Sequence, residues 1–148
     1  MARITAIELQ DFEKIISRNC FYEDKTRFIK EWWENGDDIT LLTRPRRFGK
    51  TLMLSVLEYF FSIKYTGKAG LFAHLAIWEE EEYRKLQGTY PVISLSFANI
   101  KEHCFENAKA KIGLMIANLY AEHYFLLDSG KLTEPDRIFF SKSIRRYG

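Results

Sequence analysis

Gly49, Lys50 and Thr51 are residues whose types and order could do chemistry. They lie between the short apolar run 39–42 and a segment whose apolar residues recur at helical spacing, so they are expected where a helix begins. A helix start favours an anion because its first N–H groups and the positive end of its dipole face outward. Gly49 would let the backbone approach a phosphate closely. Lys50 could then reach the β- and γ-phosphates of a nucleotide, and the Thr51 hydroxyl could bind the accompanying Mg²⁺.

The loop RPRRFGKT around these residues is close to the phosphate-binding pattern G-x-x-x-x-G-K-[ST], known as the P-loop. It departs from that pattern at Arg44, which stands where the first glycine is expected. An apolar strand before the loop and an amphipathic helix after it are the context that the pattern requires. The alternative is an ordinary strand, turn and helix in which Gly49 is only a hinge. The residues predicted to contact the nucleotide are Arg46, Arg47, Phe48, Gly49, Lys50, Thr51 and Leu52, with Thr51 also as the metal ligand.

Two short apolar segments, 39–43 and 92–97, are predicted to be β-strands. Pro91 precedes the second one, where a proline is tolerated. A helix between them would make them parallel neighbours in a right-handed βαβ unit. We therefore expect an α/β class with a P-loop NTPase-like three-layer fold. That fold is expected to be partial, since only two strands are visible.

Apolar spacing, capping residues and Gly punctuation predict helices in the remaining segments. The domain prediction is an N-terminal helical extension over 1–38, followed by a partial P-loop ATPase domain over 39–148. The predicted helices cover 8–18, 24–36, 51–63, a short charged one within 79–85, 102–127, and a last one from 134 onward.

The composition is that of a globular protein. Of 148 residues, 47 % are hydrophobic and 28 % are charged, which does not indicate disorder. The net charge of +2 does not mark the whole chain as a nucleic-acid or membrane binder. No run approaches the roughly 18 apolar residues of a membrane helix, so a soluble, cytoplasmic protein is expected. Cys20 and Cys104 lack paired spacing and are expected to be reduced thiols, most simply small core residues.

Several pieces of the sequence together resemble one family. In order they are FYEDKTRFIKEW, LLTRPRRFGKTLMLSVLEYFF, LFAHLAI and YPVISLSF. They are similar to the opening region of the prokaryotic AAA-ATPase-like family, whose members resemble archaeal-type P-loop ATPases. In related ATPases the loop begins Gly-Pro-Arg-Arg, so Arg44 looks like this family's replacement of the first glycine. The resemblance implies ATP and Mg²⁺ as cofactors, held by Gly49, Lys50 and Thr51.

The resemblance also implies what lies near and beyond the loop. Tyr22, Asp24 and Lys25 match a recurrent Tyr-x-Asp-Lys piece, for which packing and contact with the base are both open. Such proteins continue into a strand with a Walker B acid, often followed by a nuclease-like domain, and this chain ends before that strand. Hydrolysis is then expected to need the missing C-terminal part of the same protein as a partner. No catalytic residue is assigned, and whether this chain is an enzyme stays open.

Asp128 offers a substitute for the missing acid, because it ends the apolar run 124–127. Its position after a helical pattern, followed by Ser129 and Gly130, favours a helix terminus instead. The histidines lack the spacing of metal ligands.

The arginines of the loop have two interpretations. Arg44, Arg46 and Arg47 either lie near the phosphates or form a basic patch for nucleic acid or a partner, which Arg145 and Arg146 could extend. The alternative function is thus a non-catalytic interaction or nucleic-acid-binding module that uses these arginines and an exposed aromatic surface.

Overall fold

Apolar helix faces and isolated β-bridges, rather than a sheet, organise the described part of the chain. The computed structural model describes residues 9–43, 45 and 48–147, with the side chains of 146 and 147 left aside. Internal contacts divide the chain into two units, Met1–Val92 and Ile93–Gly148. The sequence predicts a domain boundary between residues 38 and 39, which separates a helical extension from a P-loop domain. The division by internal contacts does not test that boundary, which stays a prediction.

The prediction of an α/β three-layer fold with parallel strands is wrong. The described residues are helical and form no sheet. Segments 39–43 and 92–97 have no regular secondary structure, and Ile39 and Leu41 are 90 % and 81 % exposed. A strand is held by hydrogen bonds to a neighbouring strand, and β-forming side chains in one segment do not provide that neighbour. The apolar residues of 39–43 and 92–97 were therefore not sufficient evidence for strands.

The first unit contains the helices that the 3.6-residue spacing predicts, with shorter bounds. Asp11 caps the first of them, its carboxylate accepting from the Lys14 N–H at 2.9 Å. Gly36 ends the second in a left-handed conformation, with φ of 64°. The α-helices of this unit are α1 (Phe12–Ser17), α2 (Arg27–Asn35), α3 (Lys50–Phe61) and α4 (Glu81–Arg84), and its 3₁₀ segments are Ile63–Phe72 and Ala76–Glu79.

The core of the first unit is a cluster of aromatic rings centred on α3. Phe60 of α3 is fully buried and meets the ring of Phe72 edge-on at 5.2 Å between centroids. Phe72 in turn contacts Phe12 of α1 at 5.0 Å. On the other side, Trp33 of α2 stacks on Phe61 at 5.5 Å. Because α3 supplies the central rings, its position is set by burial along much of its length.

The second unit is built on two helices, α5 (Phe105–Glu122) and α6 (Glu134–Tyr147), with the 3₁₀ segment Tyr124–Asp128 between them. The ring of Tyr120 meets that of Phe140 edge-on at 4.7 Å. Gly113 and Ala117, which lie one turn apart on α5, are small and buried. Every helix in the described ranges is too short or too polar to cross a bilayer.

A tight backbone crossing closes the first unit where α3 ends. Ser62 and Tyr90 form an isolated parallel bridge, and the Gly88 N–H donates to the Phe60 carbonyl at 2.8 Å. The Thr66 hydroxyl donates to the Gly88 carbonyl at 3.0 Å. Gly88 has φ of +70°, and a Cβ added there would lie 2.6 Å from the Thr66 Cα. This position thus needs glycine for both its backbone conformation and its lack of a side chain.

Replacing Gly88 should therefore destabilise the protein far more than replacing Gly36. In Gly36→Ala the added Cβ would have no neighbour within 4 Å, so the only cost is the strain of a side chain at positive φ. That strain lowers the stability by about 1 kcal/mol. Gly88→Ala adds a backbone clash, so we expect a loss of roughly 3 kcal/mol or more. Chemical denaturation of both variants beside the wild type measures the difference. Equal losses would show that the crossing at Thr66 can relax.

Candidate functional site

Gly49 is the N-cap of α3, the 12-residue helix at the centre of the core. It has the left-handed values φ 75° and ψ 19°, and its carbonyl accepts from the Met53 N–H at 2.8 Å. Within the described ranges no side chain caps this helix. The first N–H groups of any α-helix have no acceptor within the helix, so they point to whatever lies beyond its start. The helix begins at Lys50, as the spacing predicts.

Lys50 and Thr51 occupy the first turn of α3. The Lys50 ammonium donates to the Pro45 carbonyl at 3.5 Å, which brings the side chain back over the preceding loop. Thr51 is exposed, and Leu52 packs on the aromatic core. Arg46 and Arg47, which were also predicted to contact the nucleotide, lie outside the described residues, as does Arg44. The three residues Gly49, Lys50 and Thr51 are thus together at one exposed helix end.

A cavity of about 250 Å³ adjoins this helix end. We call it the α3 cleft. One wall comes from the segment 21–25, which precedes α2, and the other from residues 48–56. Both segments stand out in the sequence, but the sequence does not show that they lie side by side. The residues that line the α3 cleft are Phe21, Tyr22, Glu23, Lys25, Phe48, Gly49, Leu52, Met53 and Val56.

Tyr22 and Lys25, whose roles the sequence left open, both line the α3 cleft. The Tyr22 ring meets the Phe12 ring edge-on at 5.6 Å. Burial, and to a lesser degree the nearby Asp24 carboxylate, raise the pKa of Tyr22 to about 12. Its phenol therefore stays protonated at neutral pH and can donate a hydrogen bond. Lys25 forms an ion pair with Glu23 at 2.9 Å.

The Asp24 carboxylate has a structural role, because it accepts hydrogen bonds from two other parts of the first unit. One carboxylate oxygen accepts from the Thr26 N–H at 2.8 Å and from its hydroxyl at 2.7 Å. The other accepts from the Ala76 N–H at 2.7 Å, and the buried Thr26 hydroxyl oxygen accepts from the Ile77 N–H at 3.1 Å. Asp24 and Thr26 thus tie the start of α2 to the 3₁₀ segment Ala76–Glu79. We call this set of bonds the Asp24 clamp. The signal in the sequence was the Asp-x-Thr spacing, which is typical of local side-chain to backbone bonds.

Other candidate groups are not assembled into a site. Asp128 is the last residue of the 3₁₀ segment Tyr124–Asp128 in the second unit, in agreement with its interpretation as a helix terminus. The part of the chain that the structure describes contains no group of three or more His, Cys, Asp or Glu residues placed to hold a metal ion. Cys20 is buried, Cys104 is exposed, and they are not joined by a disulfide.

The sequence matches the family model described as "Predicted AAA-ATPase" over residues 6–145. The chain belongs to this family. It is also similar to an uncharacterized protein in the vnfD 5′ region of Azotobacter chroococcum mcd 1, with 35 % identity over 92 residues. That match covers 62 % of this chain and only 16 % of the relative's length. No solved structure matches the chain.

Removing the Asp24 carboxylate should loosen one wall of the α3 cleft. Asp24→Ala leaves the N–H groups of Thr26 and Ala76 without this acceptor, and we expect a loss of about 1–2 kcal/mol of stability. Glu23→Ala makes the same charge change at the neighbouring residue but loses only the exposed ion pair with Lys25, which is worth at most about 1 kcal/mol. Thermal denaturation of both variants compares them. A Tm for Asp24→Ala no lower than that of Glu23→Ala would contradict the clamp.

Proposed function

We propose that this chain binds ATP with Mg²⁺, and that the phosphates bind at the start of α3. The observation that carries this proposal is a left-handed glycine followed by Lys50 and Thr51 in the first turn of a helix fixed in the core. Membership of the predicted AAA-ATPase family supports a nucleotide as the ligand.

Each residue at the helix end would have a distinct part. Gly49 has no side chain to obstruct a phosphate, and the first-turn N–H groups donate to phosphate oxygens. The Lys50 ammonium supplies a full positive charge, and charge-assisted bonds to phosphate are stronger than bonds between neutral groups. Thr51 is exposed and offers a hydroxyl oxygen, the type of ligand that Mg²⁺ prefers. Arg46 and Arg47 stay predicted phosphate contacts.

Hydrolysis is a further step and is proposed only for a longer protein. Cleavage of ATP by this class needs an acid to hold Mg²⁺ and a group to position the attacking water. This chain spans 16 % of the length of the relative from Azotobacter, so such groups can come from additional sequence in proteins of that size. The function proposed for these 148 residues themselves is nucleotide binding.

The contribution of Lys50 can be measured by titration calorimetry with Mg-ATP. We expect Lys50→Ala to weaken binding by about tenfold or more, because a charge-assisted contact worth roughly 1.5–3 kcal/mol is lost. Lys109→Ala, on α5 of the second unit, makes the same charge change at a residue that is not among the predicted nucleotide contacts, and it should bind like the wild type. Equal affinities for Lys50→Ala and the wild type would refute the phosphate assignment.

The contribution of Thr51 can be separated from that of Lys50 by comparing ATP titrations in the presence of Mg²⁺ with ATP titrations in EDTA. If the Thr51 hydroxyl binds Mg²⁺, the wild type should bind ATP more tightly with the metal than without it. Thr51→Ala should lose most of that gain, while Thr51→Ser, which keeps the hydroxyl, should retain it. Retention of the full gain in Thr51→Ala would exclude Thr51 as a metal ligand.

A further inference from the structure

The α3 cleft has two exposed aromatic side chains on its walls. Phe21 is 61 % exposed and Phe48 is 63 % exposed, and they come from the two different segments that form the cleft. Aromatic rings left open to water on a cavity wall are an unused apolar surface that a flat ring can cover. They stand beside Gly49, where the phosphates are proposed to bind.

We propose that the α3 cleft receives the base of the bound nucleotide, with Phe21 and Phe48 as its stacking partners. This inference rests on the proposed function, since it places the nucleoside of the same ligand. It also answers what the Tyr-x-Asp-Lys piece does: Tyr22 and Lys25 line the base site, and Asp24 holds that wall in place.

The size of the cleft fits part of a nucleotide. Pockets that enclose a whole drug-sized ligand have volumes of about 300–1,000 Å³. The α3 cleft, at about 250 Å³, is large enough for a single ring system and too small for base, sugar and phosphates together. Because Gly49 is part of its wall, a base inside the cleft leaves the phosphates outside at the start of α3.

The chemistry of the lining favours an uncharged aromatic group over a second anion. The α3 side of the cleft is apolar, because it is lined by the half-buried Leu52 and the buried Met53 and Val56. The charges on the opposite segment, Glu23 and Lys25, are of opposite sign and already paired at 2.9 Å. A paired carboxylate and ammonium give little net attraction for a phosphate. They do offer an acceptor and a donor to the polar edge of a base.

The wall that carries Phe21 and Tyr22 is held before any ligand arrives. The Asp24 clamp fixes the next residues in the chain through four hydrogen bonds, two of them to the backbone of the 3₁₀ segment Ala76–Glu79. The opposite wall consists of Phe48, the N-cap Gly49 and the first turns of α3, a helix packed in the core. A wall that is already in place loses little conformational freedom on binding, which favours recognition of a rigid ring.

The test compares Mg-ATP with Mg-tripolyphosphate, which carries the phosphates but no base. Titration calorimetry is done on the full chain, on Phe21→Ala, Phe48→Ala and the double variant, and on Lys50→Ala. Phe105→Ala, which removes a ring that is 73 % exposed on α5, is the matched control. We expect the double variant to bind Mg-ATP at least about fivefold more weakly, the lower end of a base-stacking contribution. Its affinity for tripolyphosphate should not change.

Each other outcome has a definite meaning. If the double variant binds Mg-ATP like Phe105→Ala, the rings do not hold the base and the inference is wrong. If it loses affinity for both ligands equally, the rings act on the phosphate loop and the inference is also wrong. If the wild type binds neither ligand, or Lys50→Ala weakens neither, the proposed function itself fails. Failure of the stacking inference and failure of the proposed nucleotide binding thus give different results.

Discussion

The burial of Phe60 between neighbouring aromatic rings is the interaction on which the first unit depends. Phe60, Phe72 and Phe12 are all fully buried, and they connect α3, the 3₁₀ segment Ile63–Phe72 and α1. Each such side chain contributes about 1.5–3 kcal/mol through burial. The Ser55 hydroxyl of α3 also accepts from the Phe12 N–H at 3.0 Å, which fixes α1 against the helix. The start of α3, where the phosphates are proposed to bind, is therefore the exposed end of a helix that packs in the core farther along its length.

The two walls of the α3 cleft are held by different kinds of force. Residues 48–56 are placed by apolar burial of α3, while the segment 21–25 is placed by the polar Asp24 clamp. Apolar burial is nondirectional and tolerates small shifts, whereas hydrogen bonds of 2.7–2.8 Å to defined N–H groups set the position of the chain more narrowly. The wall that carries the Tyr-x-Asp-Lys piece is thus the one with the more exact geometry. This accounts for an aspartate in the middle of a segment whose other residues face the cleft.

Local features of the sequence predicted the helices well and the strands poorly. Asp11, Gly36 and Gly49 act through their own backbone and near neighbours, so their effects can be read from a short stretch. Segment 39–43 has the composition of a strand, but pairing depends on a partner elsewhere in the chain, which composition does not specify. The α3 cleft was missed for the same reason, because it joins segments 23 or more positions apart. The closeness of Gly88 to Thr66 is again a long-range contact, which no local pattern in the sequence indicates.

In the proposed site the phosphates and the base bind at separate places, and salt should affect these two sets of contacts differently. The proposed contacts of Lys50 and the helix end with phosphate would be electrostatic, and salt screens exposed charges beyond a distance of about 8 Å at physiological ionic strength. The proposed stacking on Phe21 and Phe48 would depend on apolar surface and would be far less sensitive to salt. The contact from the Lys50 ammonium to the Pro45 carbonyl is long, at 3.5 Å, and a charge-assisted bond to a phosphate oxygen would be stronger. The charged end of the ligand would then determine its attraction to the site, and the aromatic cleft would determine how specifically it is retained.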